Sequence, residues 1–227
     1  RKRLLRNSGR GKRTDMTTAL IFAGGAGRRM NSRSKPKQFL EMHGKPIIIY
    51  TLEHFEYHEA IDGIVIVCIR EWIEELKVML KRFGITKVRG IVPGGDTGHD
   101  SIYYGLLSMK ADSRDDIVLI HDGVRPLITA ELITQNIEAV RKYGNAITVE
   151  PSRESVVRST DGVNICEVPL RNQMYVAKAP QSFYFGKILD LYEKAKQTGY
   201  KTIDSAHLCS LYGESMHLVL STKNNIK

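Results

Sequence analysis

The chain has 227 residues, 42% hydrophobic and 26% charged, an ordinary globular composition long enough for one substantial domain. No run of about 18 apolar residues occurs, which argues against a membrane-spanning helix, and no secretory pattern is read. The net charge of +9 is unevenly placed: residues 1–15 hold seven Lys or Arg against one acid, Asp15, so the rest of the chain carries only +3.

Residues 1–15 therefore read as a basic leader, expected to be disordered. Met16 directly precedes the first apolar run, which favours an appended or upstream segment. The competing reading is an arm for nucleic acid or an anionic membrane surface. From there strand-like and helix-like patterns alternate. Residues 18–23 form a short apolar run with strand character, 47–57 a helix, 61–69 a second strand, and 71–83 a helix with Trp72, Leu76, Met79 and Leu80 on one side. A third strand is expected at 87–92, then the turn Pro93-Gly94-Gly95, a helix over 100–109, and an apolar strand at 116–121 that ends in a polar cluster. Thr129 caps a helix reaching 143, with Glu131 in its first turn, and a strand follows at 146–149. Alternation of this kind predicts a mostly parallel sheet with helices on both faces and a ligand crevice at the carboxyl ends of the strands.

The rhythm breaks at 151–175. Two strands, 154–158 and 165–169, are expected around an Asp161-Gly162 hairpin turn, and a hairpin without its own core needs something to pack against. Helices at 185–199 and 204–212 and a strand at 216–220 complete the pattern. Three well-separated cysteines, Cys68, Cys166 and Cys209, lack metal spacing and read as reduced thiols of a cytoplasmic protein.

The most informative segment is Ala23-Gly24-Gly25-Ala26-Gly27-Arg28-Arg29-Met30, followed by Pro36-Lys37-Gln38. Glycines expose backbone N–H groups to a bulky anion, arginine adds a planar fork for phosphate oxygens, and lysine adds a mobile charge. Met30 stands where the dinucleotide fingerprint needs its last glycine, and no Gly-Lys-Ser/Thr string occurs, so neither familiar phosphate loop fits. The plain alternative is a glycine turn with solvated arginines.

This loop, with His121-Asp122-Gly123-Val124-Arg125-Pro126, Gly94-Gly95-Asp96, Lys178-Ala179-Pro180-Gln181 and the terminal Asn-Ile-Lys227, resembles the cytidylyltransferases of small polyol phosphates. The resemblance covers residues 17–227. The group makes CDP-methylerythritol or CDP-ribitol. It implies a Rossmann-like three-layer α/β nucleotidyltransferase fold with a mostly parallel sheet and a protruding β-arm at about 151–175, in a single domain over 16–227. It implies transfer of CMP from CTP with Mg²⁺, a homodimer joined through the arm, and no nucleic-acid or membrane partner.

By matching positions, Arg29, Lys37 and Lys227 are the catalytic cations. Ala23, Gly24, Gly25, Ala26, Gly27, Gly94, Gly95, Asp96 and Ser101 surround the nucleotide, and Asp122 approaches the metal. Arg125, Ser155, Arg171 and Asp204 bind the acceptor. His121 is expected to be structural, since no neutral hydroxyl needs deprotonation. The chain departs from the family pattern at Gly98, where arginine is common and His99 is the candidate substitute, and at Ala179, where threonine is usual. These departures tilt the acceptor toward ribitol 5-phosphate or a similar open-chain polyol phosphate and away from methylerythritol phosphate. The alternatives are a 2-C-methyl-D-erythritol 4-phosphate cytidylyltransferase of isoprenoid precursor synthesis and a relative that binds nucleotide without turnover. The resemblance also implies a further helix beyond Lys227, which is expected to be loosely held at its terminal position.

Overall fold

The computed structural model describes residues 15–24, 35–109 and 113–227. The leader at 1–14 and the loop residues Gly25, Ala26, Gly27, Arg28 and Arg29 lie outside the described residues. In chain order the strands are β1 (Thr17–Ala23), β2 (Glu41–Met42), β3 (Lys45–Pro46), β4 (Gly63–Cys68), β5 (Val88–Pro93), β6 (Ile117–Asp122), β7 (Asn145–Pro151), β8 (Tyr175–Tyr184) and β9 (Leu218–Leu220). The helices are α1 (Ile47–Glu56), α2 (Ile73–Arg82), α3 (Gly98–Ser108), α4 (Ala130–Tyr143), α5 (Phe185–Thr198) and α6 (Ser205–Leu211). None of them is long and apolar enough to cross a membrane.

Seven strands form one sheet in the order β5-β4-β1-β6-β8-β7-β9. The four expected apolar runs lie side by side and parallel, as β5, β4, β1 and β6. Because alternate residues of a strand face opposite ways, β1 feeds two cores. Ala19 and Ile21 pack with Ile48, Leu52, Leu76 and Ile133 of α1, α2 and α4. Leu20 packs on the other face with Leu106, Ile188 and Leu208 of α3, α5 and α6. Gly105 lets α3 approach the sheet closely: a Cβ there would lie 2.6 Å from Leu20 Cδ1. That approach brings the start of α3 to the ends of β1 and β5.

Strand β8 was not anticipated. It runs antiparallel between β6 and β7, with Gln181 opposite Ile120 and Ala177 opposite Val149. Its first half thus passes beyond the carboxyl end of β6, on the side where a crevice is expected. The segment 152–174 leaves from that same side and is closed at its root by Ser152 N–H donating to Met174 O at 2.9 Å. The two strands expected inside it do not form. A single bridge, Arg158 to Glu167, holds it, with Asp161 accepting bonds from Val163 N, Asn164 N and Ser159 Oγ. The Asp161 carboxylate satisfies the turn locally, and the flanking residues are exposed, so water meets their hydrogen-bonding demand in place of a ladder.

A buried amide ties the sheet to α4. Asn136 is fully buried; its Nδ2 donates to Leu132 O and Thr148 Oγ1, both at 3.0 Å, and its Oδ1 accepts from Ser182 Oγ at 3.0 Å. Asn136→Ala leaves both hydroxyls without this partner and is expected to lower unfolding free energy by about 3 kcal/mol in urea titrations.

Candidate active site

Parallel pairing places the ends of four strands together. Ala23 is level with Cys68, Cys68 with Pro93, and Phe22 with Asp122. Each functional segment is the turn that follows one of these ends. After β1, the Ala23 carbonyl accepts from Gln38 Nε2 at 2.7 Å, which draws the 3-10 turn Lys37–Phe39 against the strand end. Phe39 is fully buried and stacks on Trp72 with ring centroids 4.6 Å apart, so the turn carrying half-buried Lys37 is anchored from below.

The turn after β5 abuts the turn after β1. A Cβ on Gly94 would lie 3.0 Å from Ser101 Oγ and 3.6 Å from Gly24 Cα, and one on Gly95 would lie 2.6 Å from the Asp100 Cβ. Only backbone fits here, so the surface offered to a ligand is one of peptide groups. Ser101 builds this turn: its hydroxyl donates to Thr97 O at 2.8 Å and accepts from Gly95 N at 3.0 Å. Asp96 is exposed at the tip. Thr97 caps α3, its Oγ1 accepting from Asp100 N at 3.1 Å. His99 does not replace the expected arginine. It is buried, bonded through Nδ1 to Thr202 Oγ1 at 3.0 Å and packed on Tyr192, away from the crevice. Gly98 itself lines the crevice, where a Cβ would meet only Phe22 Cζ at 4.0 Å.

The charged centre follows β6. Asp122 Oδ2 accepts from Arg125 Nε at 2.7 Å, and Asp122 Oδ1 pairs with Lys227 Nζ at 3.1 Å. Burial alone would raise this carboxyl's pKa, but the charges of Lys227 and Arg125 outweigh it and hold the group below the ordinary carboxylate value. Arg125 is 9% exposed and also donates through Nη1 to the Asn225 carbonyl at 2.8 Å, whereas Lys227 is 49% exposed. Of the two cations, only Lys227 is free to leave the carboxylate. The expectation of a loosely held tail is corrected: Asn225 is buried and bonded on two sides, so Lys227 is delivered to Asp122 from an anchored segment.

On the opposite wall Asp204 caps α6, its Oδ1 accepting from His207 N at 2.8 Å. Gln181 orients it: Nε2 donates to Asp204 Oδ2 at 3.1 Å while Oε1 accepts from Ala206 N at 2.9 Å. Asp122, Arg125, Gln181, Asp204 and Lys227 all border one cavity of about 220 Å³. Ser155 and Arg171 are not brought there; both are exposed on the 152–174 arm.

Such a crevice, with paired cations, one ionised carboxylate and peptide-lined turns, suits a phosphorylated ligand. Residues 17–227 match the family described as 2-C-methyl-D-erythritol 4-phosphate cytidylyltransferase. The chain belongs to this family. Among similar curated proteins, a ribitol-5-phosphate cytidylyltransferase of Streptococcus agalactiae serotype Ia is 46% identical over 214 residues, 93% of this chain and 90% of the relative. Another from Vibrio parahaemolyticus is 47% identical, with 93% and 90% covered. A 2-C-methyl-D-erythritol 4-phosphate cytidylyltransferase of Clostridium botulinum is 40% identical over 212 residues, 92% and 90% covered. The solved 4-diphosphocytidyl-2C-methyl-D-erythritol synthase of Anaerococcus prevotii superposes with a TM-score of 0.82 at 28% identity, covering 94% of this chain and 90% of that one. The protein is thus a nucleotidyltransferase of the cytidylyltransferase type, and its fold is the expected α/β one.

Family membership implies a divalent ion. Among the described residues no cluster of three or more His, Cys, Asp or Glu forms a metal cage. Magnesium fits nonetheless, because it binds through one or two carboxylates and takes its other ligands from phosphates and water. Asp122 supplies an ionised carboxylate at the cavity wall, with a partner that is able to move aside. Sequence reasoning assigned no role to Gln38, Gln181 or Asn225. All three stand within quoted motifs, Asn225 as the first residue of the terminal Asn-Ile-Lys string, but none was given a task of its own.

His121 is no base. It is buried against Phe55, Nε2 reaches the Arg125 carbonyl at 3.3 Å, and burial lowers its pKa to about 4. Folding favours its neutral form, so this contribution to stability is complete above the unfolded value near 6.5 and is lost as pH falls toward about 4. His121→Gln is therefore expected to flatten the fall in urea stability across that window, where the wild-type slope from this group approaches about 1.4 kcal/mol per pH unit.

Proposed function

We propose that this protein transfers CMP from CTP to ribitol 5-phosphate, releasing pyrophosphate and forming CDP-ribitol. The observation that carries the acceptor is the higher identity to ribitol-5-phosphate cytidylyltransferases, 46–47%, than to the methylerythritol-phosphate enzymes, 37–40%, over nearly the same span. An oxygen of the acceptor phosphate forms a bond to the α-phosphorus of CTP, and the bond to the bridging oxygen of pyrophosphate breaks. The nucleophile is already anionic, so no base is required, which agrees with a neutral, buried His121.

The barrier is electrostatic, since two polyanions meet and charge grows on the α- and bridging oxygens. Preorganised cations supply the main stabilisation. We assign this to Arg29, Lys37 and Lys227. The backbone of Gly94 and Gly95, with Asp96 and Ser101 beside it, faces the cytosine, and residues 23–27 are assigned to the nucleotide as well. Asp122 holds magnesium, which neutralises triphosphate charge when bound. Asp204, kept in place by Gln181, and Arg125 stand on the acceptor side.

Ser155 and Arg171 reach an acceptor only in a dimer, in which the arm of one protomer enters the crevice of its partner. The arm exposes Val157, Val163, Ile165, Val168 and Leu170, with Val163 at 84%, and one bridge provides no core to support them. Burying such a face against a second copy resolves both facts.

Pyrophosphate release with CTP, Mg²⁺ and ribitol 5-phosphate is the direct test, with methylerythritol 4-phosphate as comparison. A preference for the latter would overturn the acceptor. Chelation with EDTA is expected to abolish release, and Mg²⁺ to restore it. Lys37→Ala is expected to lower kcat by about two orders of magnitude with an unchanged urea midpoint; turnover near wild type removes Lys37 from the mechanism. Light scattering is expected to give twice the 25.6 kDa chain mass. Val168→Glu with Leu170→Glu should yield a monomer with a raised KM for the acceptor.

A further inference from the structure

Four of the last five residues are exposed, and the fifth, Asn225, is only 1% exposed. The tail leaves β9 through Ser221 N–H donating to Val149 O at 2.8 Å, then turns back toward the crevice. Asn225 fixes it there from two directions. Its Nδ2 donates to Ala179 O at 2.6 Å, where β8 crosses the cavity, and its own carbonyl accepts from Arg125 Nη1 at 2.8 Å. Two residues on, Lys227 closes a ring through Asp122 back to Arg125.

The other end of this amide is unusual. Asn225 Oδ1 is buried without a hydrogen-bond partner among the described residues. An unpaired buried oxygen is unfavourable, so the amide does not serve stability by itself. What it provides is direction: one side-chain donor aimed at one strand carbonyl, beside the backbone bond from Arg125.

We infer that Asn225 is a positioning residue that sets where the Lys227 ammonium stands, so that the lysine, on leaving Asp122, remains beside the reacting phosphate. The inference rests on the role given to Lys227 above. It separates the tether, Asn225 on Ala179, from the working charge two residues later. Misplacement of a charge by about 1 Å is enough to cost large factors in rate.

The test uses Asn225→Leu, which keeps the branched shape, removes the unpaired oxygen and deletes the donor to the Ala179 carbonyl. The thermal midpoint is expected to fall modestly, while kcat falls about tenfold or more and KM for the acceptor stays within about twofold. In a cycle with Lys227→Ala, the double variant should match Lys227→Ala alone, because a lysine already removed cannot be misplaced. Asn225→Ala repeats the cycle if the leucine variant does not fold. Amide hydrogen exchange over 222–227 should speed up in either variant, with α4 and β6 unchanged. Wild-type kcat, additive effects in the cycle, or unchanged tail exchange would each overturn the inference. A wild-type protein silent with CTP and ribitol 5-phosphate would instead count against the acceptor, and the exchange measurement would still decide the tether.

Discussion

A carboxylate taken out of water must be matched by positive charge, and Asp122 is the point on which this site is organised. It ends a strand that is otherwise buried, and its own side chain, 19% exposed, meets only the cavity. Arg125 answers it from three residues on, within the same turn, and Lys227 answers it from a hundred residues away. The local cation makes the charge tolerable; the distant one makes it useful. Because Arg125 also bonds the Asn225 carbonyl, the requirement to neutralise one buried acid fixes the course of the chain's last segment.

The parallel half of the sheet was legible because its strands are continuous apolar runs bounded by glycine or polar turns, the pattern of strands covered on both faces. Their carboxyl ends carry the motifs, so the crevice followed from topology. Strand β8 was not legible: Lys178, Pro180 and Gln181 interrupt the apolar run, its first three residues are exposed, and buried Ala179 is too small to register as a hydrophobic stripe. It lies in the middle of the sheet because β6 and β7 cover its edges, which no local pattern reports. The arm erred the other way. Valines and isoleucines at 154–168 have strand propensity, but that propensity describes packing on a half-buried surface, and within one chain this segment has no such surface. Asn225 was missed because its partners, Ala179 and Arg125, are 46 and 100 residues distant.

The two departures from the family pattern fall on the wall facing the carboxylate ring. Gly98 begins α3 with no side chain, and its missing Cβ would have open space ahead of it. Ala179 offers a methyl and gives its carbonyl to Asn225. Both remove polar groups from the cavity side and leave room. An acceptor is recognised by hydroxyl-directed hydrogen bonds, and a site that rejects a close analogue does so by leaving its own polar groups unpaired. Removing such groups weakens rejection, so under the proposed function selection falls to Asp204 with its Gln181 brace and to Ser155 and Arg171 of the arm.

The resting arrangement of cations follows one rule. Lys227 sits on Asp122 and Lys178 on Glu150, at 3.1 and 3.0 Å. A crevice built to receive two polyanions needs positive charge, yet unpaired ammonium groups in an empty site would repel one another and invite other anions. Pairing them with carboxylates at the cavity keeps them oriented until a phosphate takes the place of the carboxylate. Arg125 is the exception that makes the rule work. Buried and doubly bonded, it cannot exchange, and so it holds Asp122 and the tail in place while the exposed lysine moves.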